Sequence, residues 1–193
     1  MHRLLILLAV ALPLLPNLAD AQSRPAQPAP VPAAPPAATP DRTSAQFGDW
    51  TVRCEAARGA PAAPARNCEM AQTLADPRGQ PVAQIVFGRL SRTAPWRLLV
   101  QLPLEARVEQ PVRLFAEATE GVPVPLPFRS CSLARGGCFA DAELPDEVVP
   151  RRLRAQPEGQ GRIEFQDAAG RATQATFSLR GFGAALDALA RSE

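Results

Sequence analysis

The sequence predicts an exported, mainly β domain, an antiparallel sandwich closed by a short C-terminal helix and stapled by two disulfides. Three observations carry this expectation. Apolar residues recur at every second position through most of residues 47–180, turn-forming residues separate those runs, and four cysteines follow a leader of secretory type. With 193 residues the chain suits one folded domain better than two.

Residues 1–21 read as a signal peptide. His2 and Arg3 give a positive start, Leu4 to Leu12 an apolar run, and Ala19-Asp20-Ala21 an A-x-A cleavage site. The run is too short for a retained membrane-spanning helix, and no cysteine near the cleavage site invites a lipid anchor. The mature chain is expected to begin near Gln22, outside the cytoplasm, as a periplasmic, secreted or outer-surface protein. Residues 22–45 are rich in Pro and Ala and poor in large apolar side chains, which predicts a disordered, extended linker. Residues 46–193 are assigned to the β domain.

Within that domain Trp50, Val52 and Cys54 alternate with Thr51 and Arg53, as in a half-buried strand. After a small-residue loop, Cys68, Met70, Gln72 and Leu74 repeat the pattern. Asp76-Pro77-Arg78-Gly79 is a turn, with Pro presetting φ and Gly accepting a positive φ. Ile85-Val86-Phe87 suits a central strand, and Trp96, Leu98, Val100 and Leu102 share one face of the next. Val112, Leu114 and Ala116 continue the alternation.

Prolines 123, 125 and 127 delete N–H donors along one side of Val122–Phe128, which predicts an edge strand with its proline side outward. Cys138, Ala140, Ala142 and Leu144 alternate again, and Asp146 is placed to cap a short helical turn running to Leu153. Residues 162–166 and 173–180 form a hairpin around Asp167-Ala168-Ala169-Gly170, with Ala175, Phe177 and Leu179 inward. At Gly181 the period changes from 2 to 3.6. Phe182, Ala185, Leu186 and Leu189 then lie on one helix face, which should dock on a sheet because so short a helix does not stand alone.

Four cysteines in an exported chain imply two disulfides, and count alone leaves three pairings open. The sequential pairing, Cys54–Cys68 and Cys131–Cys138, is favoured because each pair brackets a turn-rich segment and the first lies in phase on facing strands. Six residues between Cys131 and Cys138 suit a closed turn rather than a redox or zinc motif.

Absences narrow the function. The only histidine is His2, in the leader, and the chain contains neither Lys nor Tyr. Histidine triads, histidine metal sites, Schiff-base lysines and the phosphate-loop lysine are excluded. No metal or other cofactor is expected, since the acids form no calcium-loop run. A net charge of +2 gives no general pull towards nucleic acid.

Two arginine groups are candidates for partner binding. Arg129 and Arg135 flank Cys131, and Arg151, Arg152 and Arg154 form a cluster; either could hold an anionic group by forked hydrogen bonds. The plain alternative for both is a solvated face in a chain that uses no Lys. A carboxylate pair such as Asp141 and Glu143, which share a strand face, could serve acid–base hydrolysis without histidine, although no catalytic residues are assigned. Trp50 and Trp96 occupy inward positions and read as core.

An ordered set of landmarks resembles the invasion-associated locus B family of secreted bacterial proteins. They are F-G-D-W-T-V-R-C-E at 47–55, C-E-M-A-Q at 68–72, L-P-F-R-S-C followed by G-C-F-A to residue 140, and S-L-R-G-F-G-A-A-L at 178–186. The resemblance implies an exported sandwich of Ig-like architecture, with some members linked to bacterial entry into host cells, and carries no reaction. The expected function is therefore a non-enzymatic, extracytoplasmic interaction domain meeting an envelope or host protein. The alternative is a periplasmic small-ligand or envelope-stress binding module.

Overall fold

The computed structural model describes residues 40–56, 66–76, 78–117 and 121–192. The leader, the linker up to residue 39, Pro77 and most of the loop after Cys54 lie outside them. The strands are β1 (Arg42–Phe47), β2 (Trp50–Ala56), β3 (Arg66–Ala75), β4 (Pro81–Gly88), β5 (Trp96–Leu102) and β6 (Val112–Phe115). They continue with β7 (Val124–Leu126), β8 (Phe128–Ser132), β9 (Gly137–Leu144), β10 (Gln160–Gln166) and β11 (Ala172–Ser178). Helix α1 (Val148–Arg154) precedes β10, and α2 (Phe182–Ser192) follows β11.

All pairings are antiparallel. One sheet runs β1-β2-β3-β4-β5-β9-β8 and the other β11-β10-β6-β7. Both disulfides form in the sequential pairing, each between directly opposed residues of neighbouring strands. The alternation seen in the sequence is the alternation of burial: Trp50, Val52 and Cys54 face inward from β2, and Leu98, Val100 and Leu102 from β5.

Trp50 shows why the layers hold together. Its ring meets Phe87 of β4, Phe177 of β11 and Phe182 of α2 edge-to-face, with centroids 5.9, 6.4 and 5.2 Å away. Its Nε1–H donates to the Ser178 carbonyl at 2.9 Å, so the one polar atom of this buried side chain is satisfied. One tryptophan thus joins both sheets and the terminal helix. That helix buries Phe182, Ala185, Leu186 and Leu189, the face that the period indicates.

Three features differ from the expectation. Residues 42–45, assigned to the linker, belong to β1. Their side chains are exposed, so no apolar alternation marks the strand, and it is held by backbone pairing with β2 and an Arg42–Glu55 ion pair at 3.0 Å. The proline-rich edge divides at Pro127: β7 borders the smaller sheet and β8 the larger, so the chain changes sheets there. At α1 the cap position falls on Glu147, one residue later than expected, while the Asp146 carboxylate still accepts the Val148 N–H at 2.9 Å.

Candidate functional site

The hairpin of β8 and β9 forms a border of the larger sheet. Its turn is closed by N–H groups of Arg135 and Gly136 donating to the carbonyls of Ser132 and Leu133, with Gly136 at φ +71°. Gly137 must lack a side chain, because a Cβ there would strike the Leu102 carbonyl of β5. The Cys131–Cys138 bridge locks the same hairpin one pair further in. Leu133 stands at the tip, 84% exposed.

The two candidate arginines are both ordered by this hairpin. Arg135 donates to the Ser130 hydroxyl and its guanidinium carbon lies 4.3 Å from the centre of the Phe139 ring. Arg129 sits where the β8–β9 register slips between Phe128 and Ser130, a bulge that leaves it opposite no residue of β9. Its Nε–H donates to one oxygen of Asp141 at 2.8 Å. Arg97 of β5 pairs through Nε with the other oxygen at 2.7 Å. Asp141 is only 5% exposed, yet both of its oxygens are held by a guanidinium. Glu143 shares its face and lies opposite Arg97, but is exposed.

The second cluster is mostly consumed by structure. Arg154 makes a two-pronged bond to Asp187 at 2.6 and 2.8 Å, tying α1 to α2. Arg151 donates to the Glu147 carbonyl at 3.2 Å, and the Arg152 guanidinium extends without a partner among the described residues. No ion pair among the described residues links this cluster to the hairpin. The tryptophans are buried as expected, Trp96 donating to the Glu147 carboxylate at 2.8 Å. Sequence reasoning missed Arg97 and Leu133. The shared outward face of Arg97 and Asp141 was visible in the alternation, whereas the bulge that brings Arg129 to them was not.

On its outer face the larger sheet also carries a groove of about 280 Å³, floored by Val86 and Leu99 and walled by Pro95, Arg97 and Glu143. Gly88 lines it as well.

Away from the hairpin, three of the sequence landmarks meet. The Gln72 amide donates to the carbonyls of Asp49 and Ser178, both at 3.2 Å, and accepts the Ser178 N–H at 2.8 Å. Arg180 pairs with Asp49, and its side-chain hydrogen bond, seconded by Ser178, holds the Asp49 carboxyl below the usual range. Gly48 and Gly181 adopt φ of +56° and +85° where the two segments touch. A Cβ on Gly48 would strike the Arg180 carbonyl, and one on Gly181 the Phe47 carbonyl. Residues 47–50, 72 and 178–182 are therefore a single structural joint.

Residues 50–190 match the family described as Invasion associated locus B (IalB) protein. The chain belongs to the IalB family. Curated proteins yield no match. Among solved structures, invasion associated protein b from Bartonella henselae is similar at a TM-score of 0.63 and 20% identity, over 78% of this chain and 96% of that one. At that identity the likeness concerns the fold. The IalB segment begins at Trp50 and ends beside Leu189, so it takes in the joint's Trp50, Gln72 and Ser178 together with the hairpin. Among the described residues no helix is long and apolar enough to cross a membrane.

Proposed function

We propose that this IalB-family domain is a non-enzymatic interaction module working outside the cytoplasm, which presents the β8–β9 hairpin to a protein of the bacterial envelope or of a host cell. The observation that carries the reading is the hairpin itself. A disulfide, a glycine turn and two ordered arginines hold a surface whose tip exposes Leu133. Such a surface loses little conformational entropy on binding, because its side chains are already restrained. The two disulfides and the secretory leader read from the sequence support an oxidising location.

The test compares crosslinking in intact cells for the parent and an Arg129→Ala/Arg135→Ala variant of equal thermal stability. The reading expects one predominant crosslinked partner that the variant fails to capture. Equal capture by both proteins would remove the hairpin from the proposal.

The groove over Val86 and Leu99 favours a second reading, a periplasmic small-ligand or envelope-stress module. Protease accessibility of the domain on intact cells separates the two locations.

A further inference from the structure

The trio on the outer face beside the hairpin has the form of a built anion site. We infer that Arg97 and Arg129, positioned on the buried carboxylate of Asp141, bind a phosphate group, an inference that rests on the hairpin border being the recognition surface.

Each guanidinium is fixed through Nε to a different oxygen of the same carboxylate. Neither makes a hydrogen bond to a described residue through its terminal amino groups, so four N–H donors remain on each. A buried carboxylate that already satisfies two arginines has no capacity left to neutralise both, and the trio carries one net positive charge. Arg135 adds a second on the same hairpin, and exposed Glu143, opposite Arg97, takes one away.

The donor arrangement selects the ligand class. A planar carboxylate has two oxygens, and one terminal guanidinium fork fills both, as Arg154 does for Asp187; Asp141 takes only the Nε edges of Arg97 and Arg129 and leaves their terminal forks open. Two forks on separate strands suit a tetrahedral group with three terminal oxygens. Position supports it as well: Arg129 is set by a bulge on the edge strand β8 and Arg97 by β5, on either side of β9, which carries Asp141 between them, so the site rests on sheet rather than on a free loop.

Phosphate and acetate are titrated into the oxidised protein at constant ionic strength, with backbone amide shifts as the readout. Vesicles of phosphatidic acid and of phosphatidylcholine form a second arm. The expected result is saturable phosphate binding reported by amides of β5, β8 and β9, at least tenfold tighter than acetate. Arg129→Gln should weaken it at least tenfold, and Arg113→Gln, which breaks an ion pair with Glu164 in the smaller sheet, should leave it unchanged.

Asp141→Asn separates a built site from plain charge attraction. It raises the local charge by one, so attraction alone would tighten phosphate binding, whereas loss of the positioning carboxylate weakens it. If that variant does not fold, Arg97→Lys takes its place: it keeps the charge, so attraction alone would leave phosphate binding unchanged, whereas loss of the guanidinium fork weakens it. Binding of phosphate alone identifies a soluble source, and binding to phosphatidic acid vesicles as well identifies a lipid headgroup; either upholds the inference. No saturable binding, or equal weakening by Arg113→Gln, overturns it. If phosphate does not bind but the hairpin variant still loses its partner, this site falls and the interaction reading stands. If phosphate binds and partner capture is unaffected, the reverse holds.

Discussion

At Gly181 a single missing methyl group decides whether two segments can touch. Its positive φ and the Phe47 carbonyl in the path of any Cβ are independent obstacles to a side chain. Gly181→Ala should therefore lower unfolding free energy by about 2 kcal/mol or more, measured by urea denaturation, while Gly79→Ala, with open space but a φ of +79°, should cost less. Asp49 lies at the same joint. Its carboxyl is held below its ordinary value of 3.8 by the hydrogen bond from Arg180, then by Ser178, so the folded state favours the ionised form. Stability from this group is present above the unfolded-state pKa and is lost as pH falls through the lowered folded value. Asp76 and Asp167 act in the same sense, led by the Gln80 N–H and by the Arg171 side chain. The urea midpoint should fall below about pH 4, and Asp49→Asn should flatten that decline. An unchanged pH profile in the variant would show that Asp49 contributes nothing to it.

Among the elements, α2 and the β8–β9 hairpin are the two whose sequence and structure can be compared most directly. The spacing of Phe182, Ala185, Leu186 and Leu189 disclosed the helix face because all four pack into one apolar core, where periodicity records burial. Leu189→Ala should cost about 2–5 kcal/mol, the usual range for a buried leucine truncated in a core, read as a lowered urea midpoint. The hairpin was legible through its cysteines and glycines. Replacing Cys131 and Cys138 together by Ser should cost about 2.5 kcal/mol by loop entropy, with the strands retained by circular dichroism. What periodicity could not disclose was β1, whose exposed faces carry no apolar signal, and the bulge at Arg129, which breaks the register without changing composition. The sequence marks Arg129 only as a candidate anion binder flanking Cys131, and its pairing with Asp141 depends on that bulge. Arg154 illustrates the same limit: its partner Asp187 lies 33 residues on, in another helix.

For the whole molecule, the division of labour follows from where apolar side chains are absent. The interior unites both sheets and α2 around Trp50, and the landmarks at 47–55, 68–72 and 178–186 are largely explained by that joint and by the two disulfides. A distinctive surface outside that joint is the border of the larger sheet, with Leu133, Arg135 and the Arg97–Asp141–Arg129 trio. Its central role is tested most directly by placing a photo-crosslinking residue at Leu133 in intact cells, with the same residue at exposed Gln174 on the smaller sheet as the comparison. A discrete adduct from position 133, absent from 174 and abolished by Arg129→Ala/Arg135→Ala, is the result predicted. The same adduct from both positions, or none from 133 while 174 gives one, would contradict it.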